Sequence, residues 1–135
     1  MVVISWNDSY TVHVESIDKQ HKMMMRLIND LHNISSADSR DDEIDKALAE
    51  LADYTKDHFD YEESFLRKYH YPFFRAHQEE HAAFFRSIDR IKKEVSMLGE
   101  NHRRRLIDFM VSWLKNHIMH EDKQYVCFML EHGVK

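Results

Sequence analysis

The chain has 135 residues, a formal net charge of −5, 43% hydrophobic and 32% charged residues, and only two glycines and one proline. That length suits one domain spanning 1–135 with its own hydrophobic core. The acidic balance excludes a general nucleic-acid binder. No stretch approaches the roughly 20 apolar residues of a membrane span, and the scarcity of turn residues points to an all-α protein.

The chain opens with an arm, residues 1–15, whose Trp6, Tyr10, Val12 and Val14 fit an extended strap. Its apolar start lacks the basic region of a signal peptide. A first helix is expected over Ser16–Ile34, followed by the loop SSADSR. A second starts near Asp41, where Asp41, Asp42 and Glu43 suit a first turn, and stops before YHYP. Pro72 suits the start of a third, running to Leu98 and ended by Gly99. Asn101 can cap a fourth, continuing to His120, and the tail EDKQYVCFMLEHG forms a short terminal helix. Short connections between four long helices imply an antiparallel up-down-up-down four-helix bundle. Cys127 has no intramolecular partner, which fits a reducing compartment, and a cytoplasmic location is expected.

Helical spacing selects the inward stripes. In the first helix Ile17, His21, Met24, Ile28 and Leu31 align; in the second, Ile44, Leu48, Leu51, His58, Glu62 and Leu66. The third places His77 and His81 on the arc of Phe74, Phe84, Ile88 and Val95, and the fourth aligns Leu106, Met110, Trp113 and His117. Eleven histidines would need no explanation if they were scattered over the surface. Five imidazoles and a carboxylate on buried faces are costly unless each finds a partner, and a shared metal satisfies all of them at once.

The stretch AHQEEHAAFF, residues 76–85, also fits H-x-x-E-H, an inverted zinc-protease signature. That reading leaves His21, His58, Glu62 and His117 without a role, because a catalytic zinc takes only about three protein ligands. In a bundle, His77 and His81 are simply neighbours one turn apart on one helix, and Glu79 and Glu80 turn towards solvent.

With these pieces assembled, the chain resembles the hemerythrin family, specifically the bacterial hemerythrins. The resemblance is carried by SIDKQH ending at His21, HFDYEE with His58 and Glu62, YPFFRAHQEEHAAF with His77 and His81, and WLKNHIMHED with His117 and Asp122. The arm WNDSYTV resembles the family's opening. The resemblance implies a non-haem di-iron centre, two iron ions (Fe2+/Fe3+) with a bridging oxo or hydroxo group, that binds molecular oxygen reversibly. His77, His81 and His117 would hold one iron, His21 and His58 the other, and Glu62 and Asp122 would bridge them. On two octahedral ions this set leaves one open position, on the iron of His21 and His58, where oxygen would be held as a peroxide. That implies carriage, storage or sensing of oxygen, not an enzyme; the alternative is a di-iron oxidase or peroxidase of the same fold. The partners implied are oxygen and, where oxygen is delivered or signalled, a protein; neither nucleic acid nor membrane is expected.

Finer expectations follow. Leu114, three before His117, matches the family position that covers the oxygen pocket. Gln20, beside His21, is a candidate to support a ligand, and Asp18 reads as a surface or supporting residue. Phe59, Phe65, Phe84, Phe85, Tyr54 and Tyr125 read as bundle packing. Asp122 lies five positions after His117, which turns it about 140° off the inner face of a regular helix. Glu121, four after His117, fits a regular helix better, and His120 is a second local competitor read as solvent-exposed. The family's H-x4-D spacing favours Asp122, so the helix is expected to end or distort between 118 and 122.

Overall fold

Apolar residues repeating every three or four positions give each helix one oily stripe, and the stripes are buried by facing one another. The computed structural model describes residues 4–36, 40–98, 102–118 and 122–133, excepting the side chains of 36, 94–98, 102 and 122. Among these, the long elements are α1 (Glu15–Ser36), α2 (Asp41–Lys68), α3 (Phe74–Leu98) and α4 (His102–Asn116), followed by a short α5 (Val126–Glu131). Each long helix packs on the next and α4 returns to α1, closing the up-down-up-down bundle. No described helix is long and apolar enough to cross a membrane.

The expected stripes are the buried ones. Ile17, His21, Met24, Ile28 and Leu31 of α1 are fully buried, as are Leu51, Glu62 and Leu66 of α2. Ile44, Phe74 and Trp113 are only partly buried, and the Val95 side chain lies outside the described residues. The core divides into two clusters. A larger one gathers Met24, Ile28, Leu51, Phe59, Phe84, Met110 and Leu114, and a smaller one gathers Val12, Val14, Ile17, Leu66, Tyr71, Tyr125 and Met129. His21 lies between Ile17 and Met24 on α1, and His58 and Glu62 precede Leu66 on α2. The polar layer therefore lies between two apolar ones.

Three boundaries differ from expectation. Pro72 does not open α3: the Phe74 amide donates to the Tyr71 carbonyl at 3.1 Å, so Pro72 takes the second place of a tight turn, which its fixed φ favours. Regular α4 does not reach His120; it stops at Asn116, and His117 and Ile118 form a wider π-helical turn. Asn101 and Gly99, expected to bound α4 and α3, lie outside the described residues. The arm is not extended throughout, because Asp8–Tyr10 form a 3-10 turn. Asn7 initiates it, its side chain accepting from the Ser9 amide at 2.7 Å.

Two polar clamps fasten the arm to α1. Asn29 accepts from the Ile4 amide at 3.1 Å and donates to the Ile4 carbonyl at 2.7 Å. Asp18 accepts from the Thr11 hydroxyl at 2.5 Å and from the Val12 amide at 2.9 Å. At the second clamp and just after it, Val12 and Val14 have zero exposure. Asp18 thus holds the strap.

Candidate metal centre

Glu62 is the hub. It is fully buried, and each of its carboxylate oxygens faces a different group of imidazoles. Oε1 lies 2.5 Å from His77 Nε2 and 3.2 Å from His81 Nε2, both on α3. Oε2 lies 3.4 Å from His58 Nε2 and 3.8 Å from His21 Nε2. His117 joins the first group, its Nε2 3.0 Å from that of His81. His21 and His58 face each other across the second, with their Nε2 atoms 3.1 Å apart. Two sets of ligand atoms result, Glu62–His77–His81–His117 and His21–His58–Glu62, each spanning no more than 4.8 Å. All are buried, and Glu62 belongs to both.

The chemistry of these donors fits metal ions. The His81 Nδ1–H donates to Glu63 Oε2 at 2.9 Å, and the His58 Nδ1–H donates to Gln20 Oε1 at 2.5 Å. With Nδ1 carrying the proton, neutral rings direct their Nε2 lone pairs inwards, at other imidazole nitrogens and at a carboxylate. Lone pairs meeting at such distances repel unless positive charge lies among them. Imidazole nitrogen with carboxylate oxygen is a donor set that suits iron, zinc, copper and nickel.

The protonation energetics show the same demand for positive charge. Burial alone would push the Glu62 carboxyl up, but bonds from His21, His58, His77 and His81 outweigh it and hold it well below the usual carboxylate range. Burial works against charging His81, yet Glu62 and Glu63 together raise its pKa. Without metal His81 is the imidazole drawn towards protonation, so metal binding and protonation compete for its nitrogen.

The chain can now be set beside known proteins. The family profile described as the hemerythrin HHE cation-binding domain matches residues 12–128. The chain belongs to the hemerythrin family. A bacteriohemerythrin of Clostridium acetobutylicum is 26% identical over 125 residues, covering 90% of this chain and 97% of the relative. One from Pseudomonas aeruginosa is 32% identical over 126 residues, covering 93% and 81%. The bundle superposes on the crystal structure of a hemerythrin leucine-to-alanine variant with a TM-score of 0.80 at 30% identity, covering 94% of this chain and 97% of that one.

In this hemerythrin-family chain the first six expected ligands converge, while the Asp122 side chain lies outside the described residues. The backbone around it is informative all the same. His117 and Ile118 form a π-helical turn, and residues 119–121 lie outside the described residues. Asp122 then opens the 3-10 turn Asp122–Tyr125, and Tyr125 at its end donates its hydroxyl to Glu62 Oε2 at 3.1 Å. The helix distorts as expected, one residue earlier than expected. Leu114 is fully buried in the larger core cluster, one turn before His117.

Several contacts were not legible in the sequence. Gln20 supports His58 on the neighbouring helix, not its sequence neighbour His21. Glu63 supports His81; its only signal was the Glu62–Glu63 doublet. Tyr125 and Phe59 do more than pack: the Phe59 ring lies flat on His81 with centroids 3.7 Å apart and planes 2° from parallel. Trp113 covers His117 similarly at 4.7 Å. Glu79 is exposed and pairs with Arg86, as its outward position implies, and Glu80 is half-buried.

Proposed function

We propose that this chain, acting as one hemerythrin-like domain, binds molecular oxygen reversibly and is not an enzyme. His77, His81 and His117 would hold one iron, His21 and His58 the second, with Glu62 and Asp122 between them. A bound iron pair supplies the two electrons that reversible oxygen uptake requires. The observation that carries this reading is the division of Glu62, one oxygen towards three histidines and the other towards two. A single mononuclear site has no use for a carboxylate shared in this way.

The side chains have separable tasks. Gln20 and Glu63 hold their histidines in the tautomer that points lone pairs inwards. Tyr125 steadies the Glu62 oxygen on the side of His21 and His58, the side with fewer protein ligands and hence the side proposed to accept oxygen. Phe59, Trp113, Met110 and Leu114 surround the polar layer with apolar surface. That lining limits the access of water, which would otherwise hydrate and oxidise the site.

The test is metal analysis of protein purified without added metal, followed by cycles of oxygen exposure and vacuum. Two irons per chain and an absorption spectrum that appears with oxygen and fades under vacuum are expected. One zinc per chain overturns the di-iron reading. Two irons that go straight to a stable oxidised form with release of peroxide overturn reversible binding in favour of oxidase chemistry.

A further inference from the structure

The two histidine groups differ in what stands behind them. His81 Nδ1–H is backed by a carboxylate, Glu63, at 2.9 Å. His58 Nδ1–H is backed by a neutral amide, Gln20, at 2.5 Å. The two supports come from different helices, so nothing in the bundle's symmetry forces the contrast. An anion accepting the Nδ1 proton pulls it away from the ring and makes Nε2 a stronger electron donor; an amide oxygen does so far less.

Glu63 stands nearer to solvent than Glu62. Glu62 is wholly buried, whereas the Glu63 side chain keeps 18% exposure. It opens into a surface cavity of about 360 Å³ between α2 and α3, whose walls include Lys56, Phe59, His81 and Phe85. Water reaching Glu63 from that cavity offsets the cost of a charge beside the core. Phe59, stacked on the His81 ring, and the Glu63 bond together leave that imidazole little freedom to rotate.

We infer that Glu63 is a positioning residue that acts through His81, locking its tautomer and placing negative charge behind the His77–His81–His117 position where His58 has a neutral amide, so that this metal is the more easily oxidised of the two. The inference rests on the di-iron reading and deepens it: the position proposed to be saturated with protein ligands becomes the better electron donor, and the position of His21 and His58 keeps the weaker support.

The experiment compares wild type, Glu63→Gln, Glu63→Asp, Glu63→Leu, Gln20→Glu and the exposed control Glu79→Gln. Glu63→Gln keeps an acceptor for His81 but loses the charge, so the reduction midpoint of the iron-loaded protein should rise and chelator should extract iron more readily. A loss in metal affinity of about 10–100-fold is the usual size for such supports. Glu63→Asp should restore the midpoint towards wild type, Gln20→Glu should lower it, and Glu79→Gln should leave it unchanged. Nitrogen-15 spectra of the metal-free proteins, taken at a pH where the His81 ring is neutral, supply a readout independent of iron: His81 should be protonated at Nδ1 in wild type and lose that preference in Glu63→Leu. A wild type that does not take up two irons overturns the di-iron reading and this inference with it. Two irons in wild type with an unchanged midpoint in Glu63→Gln, or an unchanged His81 tautomer in Glu63→Leu, overturns the role of Glu63 alone.

Discussion

Glu62 illustrates how a single side chain can impose a demand on a whole core. An ionised carboxylate at zero exposure is tolerated only where hydrogen bonds and positive charge replace lost hydration. Here Tyr125 supplies one hydrogen bond, and imidazoles from α1, α2 and α3 supply the rest only when their Nε2 atoms carry a proton, a place that a metal ion would take. The role proposed for Leu114 is the complementary one of keeping the site dry. Leu114→Ala should lower the stability of the metal-free protein by about 2–5 kcal/mol, as truncation at a packed position does. It should also shorten the lifetime of the oxygenated protein by admitting water. Following the decay of the oxygenated spectrum in air checks this; a lifetime equal to wild type beside a measurable stability loss would assign Leu114 to packing alone.

At the scale of elements, the polar layer is held by α2 more than by any other helix. One stripe of α2 carries Leu51, Thr55, His58, Phe59, Glu62 and Leu66, all buried, so core and site are read from the same face. The end of α4 follows a different logic. His117 must point inwards while the chain turns to bring Tyr125 beneath Glu62, and the π-helical turn accommodates both. The arm is the most separable element, because it is fastened by the Asn29 and Asp18 clamps and by Val12 and Val14. Asp18→Ala removes two acceptor contacts and should cost about 1–3 kcal/mol, the usual penalty for stranding such donors. Amide exchange at Val12 should speed up while iron content stays at the wild-type level. Loss of iron in that variant would mean that the strap organises the site as well as the fold.

For the molecule as a whole, the site is a join. The larger apolar cluster lies on one side of the polar layer and the smaller on the other, so metal ions bound there tie the two halves together. Ligand binding to the native state alone stabilises it by mass action, by about 4 kcal/mol per site when free metal exceeds Kd a thousandfold. Removing metal with a chelator should therefore lower the thermal midpoint by several degrees and leave the helical content largely intact at room temperature. Calorimetry before and after chelation measures this, and an unchanged midpoint would contradict the placement of metal at the join.

Much of this arrangement was legible before any coordinates. Helical period is a local property, so the positions of His21, His58, Glu62, His77, His81 and His117 on inward stripes follow from spacing alone. The interruption near the end of α4 was implied by the resemblance to the family, whose spacing sets Asp122 five residues after His117. What spacing could not reveal is how neighbouring helices are set against one another. The pairing of Gln20 with His58, of Glu63 with His81, of Tyr125 with Glu62 and of the Phe59 ring with His81 joins residues from 18 to 63 positions apart. Each pairing depends on the rotation and vertical offset of two helices, quantities that packing of the whole core decides and that no single helix encodes. The same offsets decide that the two oxygens of Glu62 face different histidine groups, because that division exists only once α1, α2, α3 and the end of α4 are assembled.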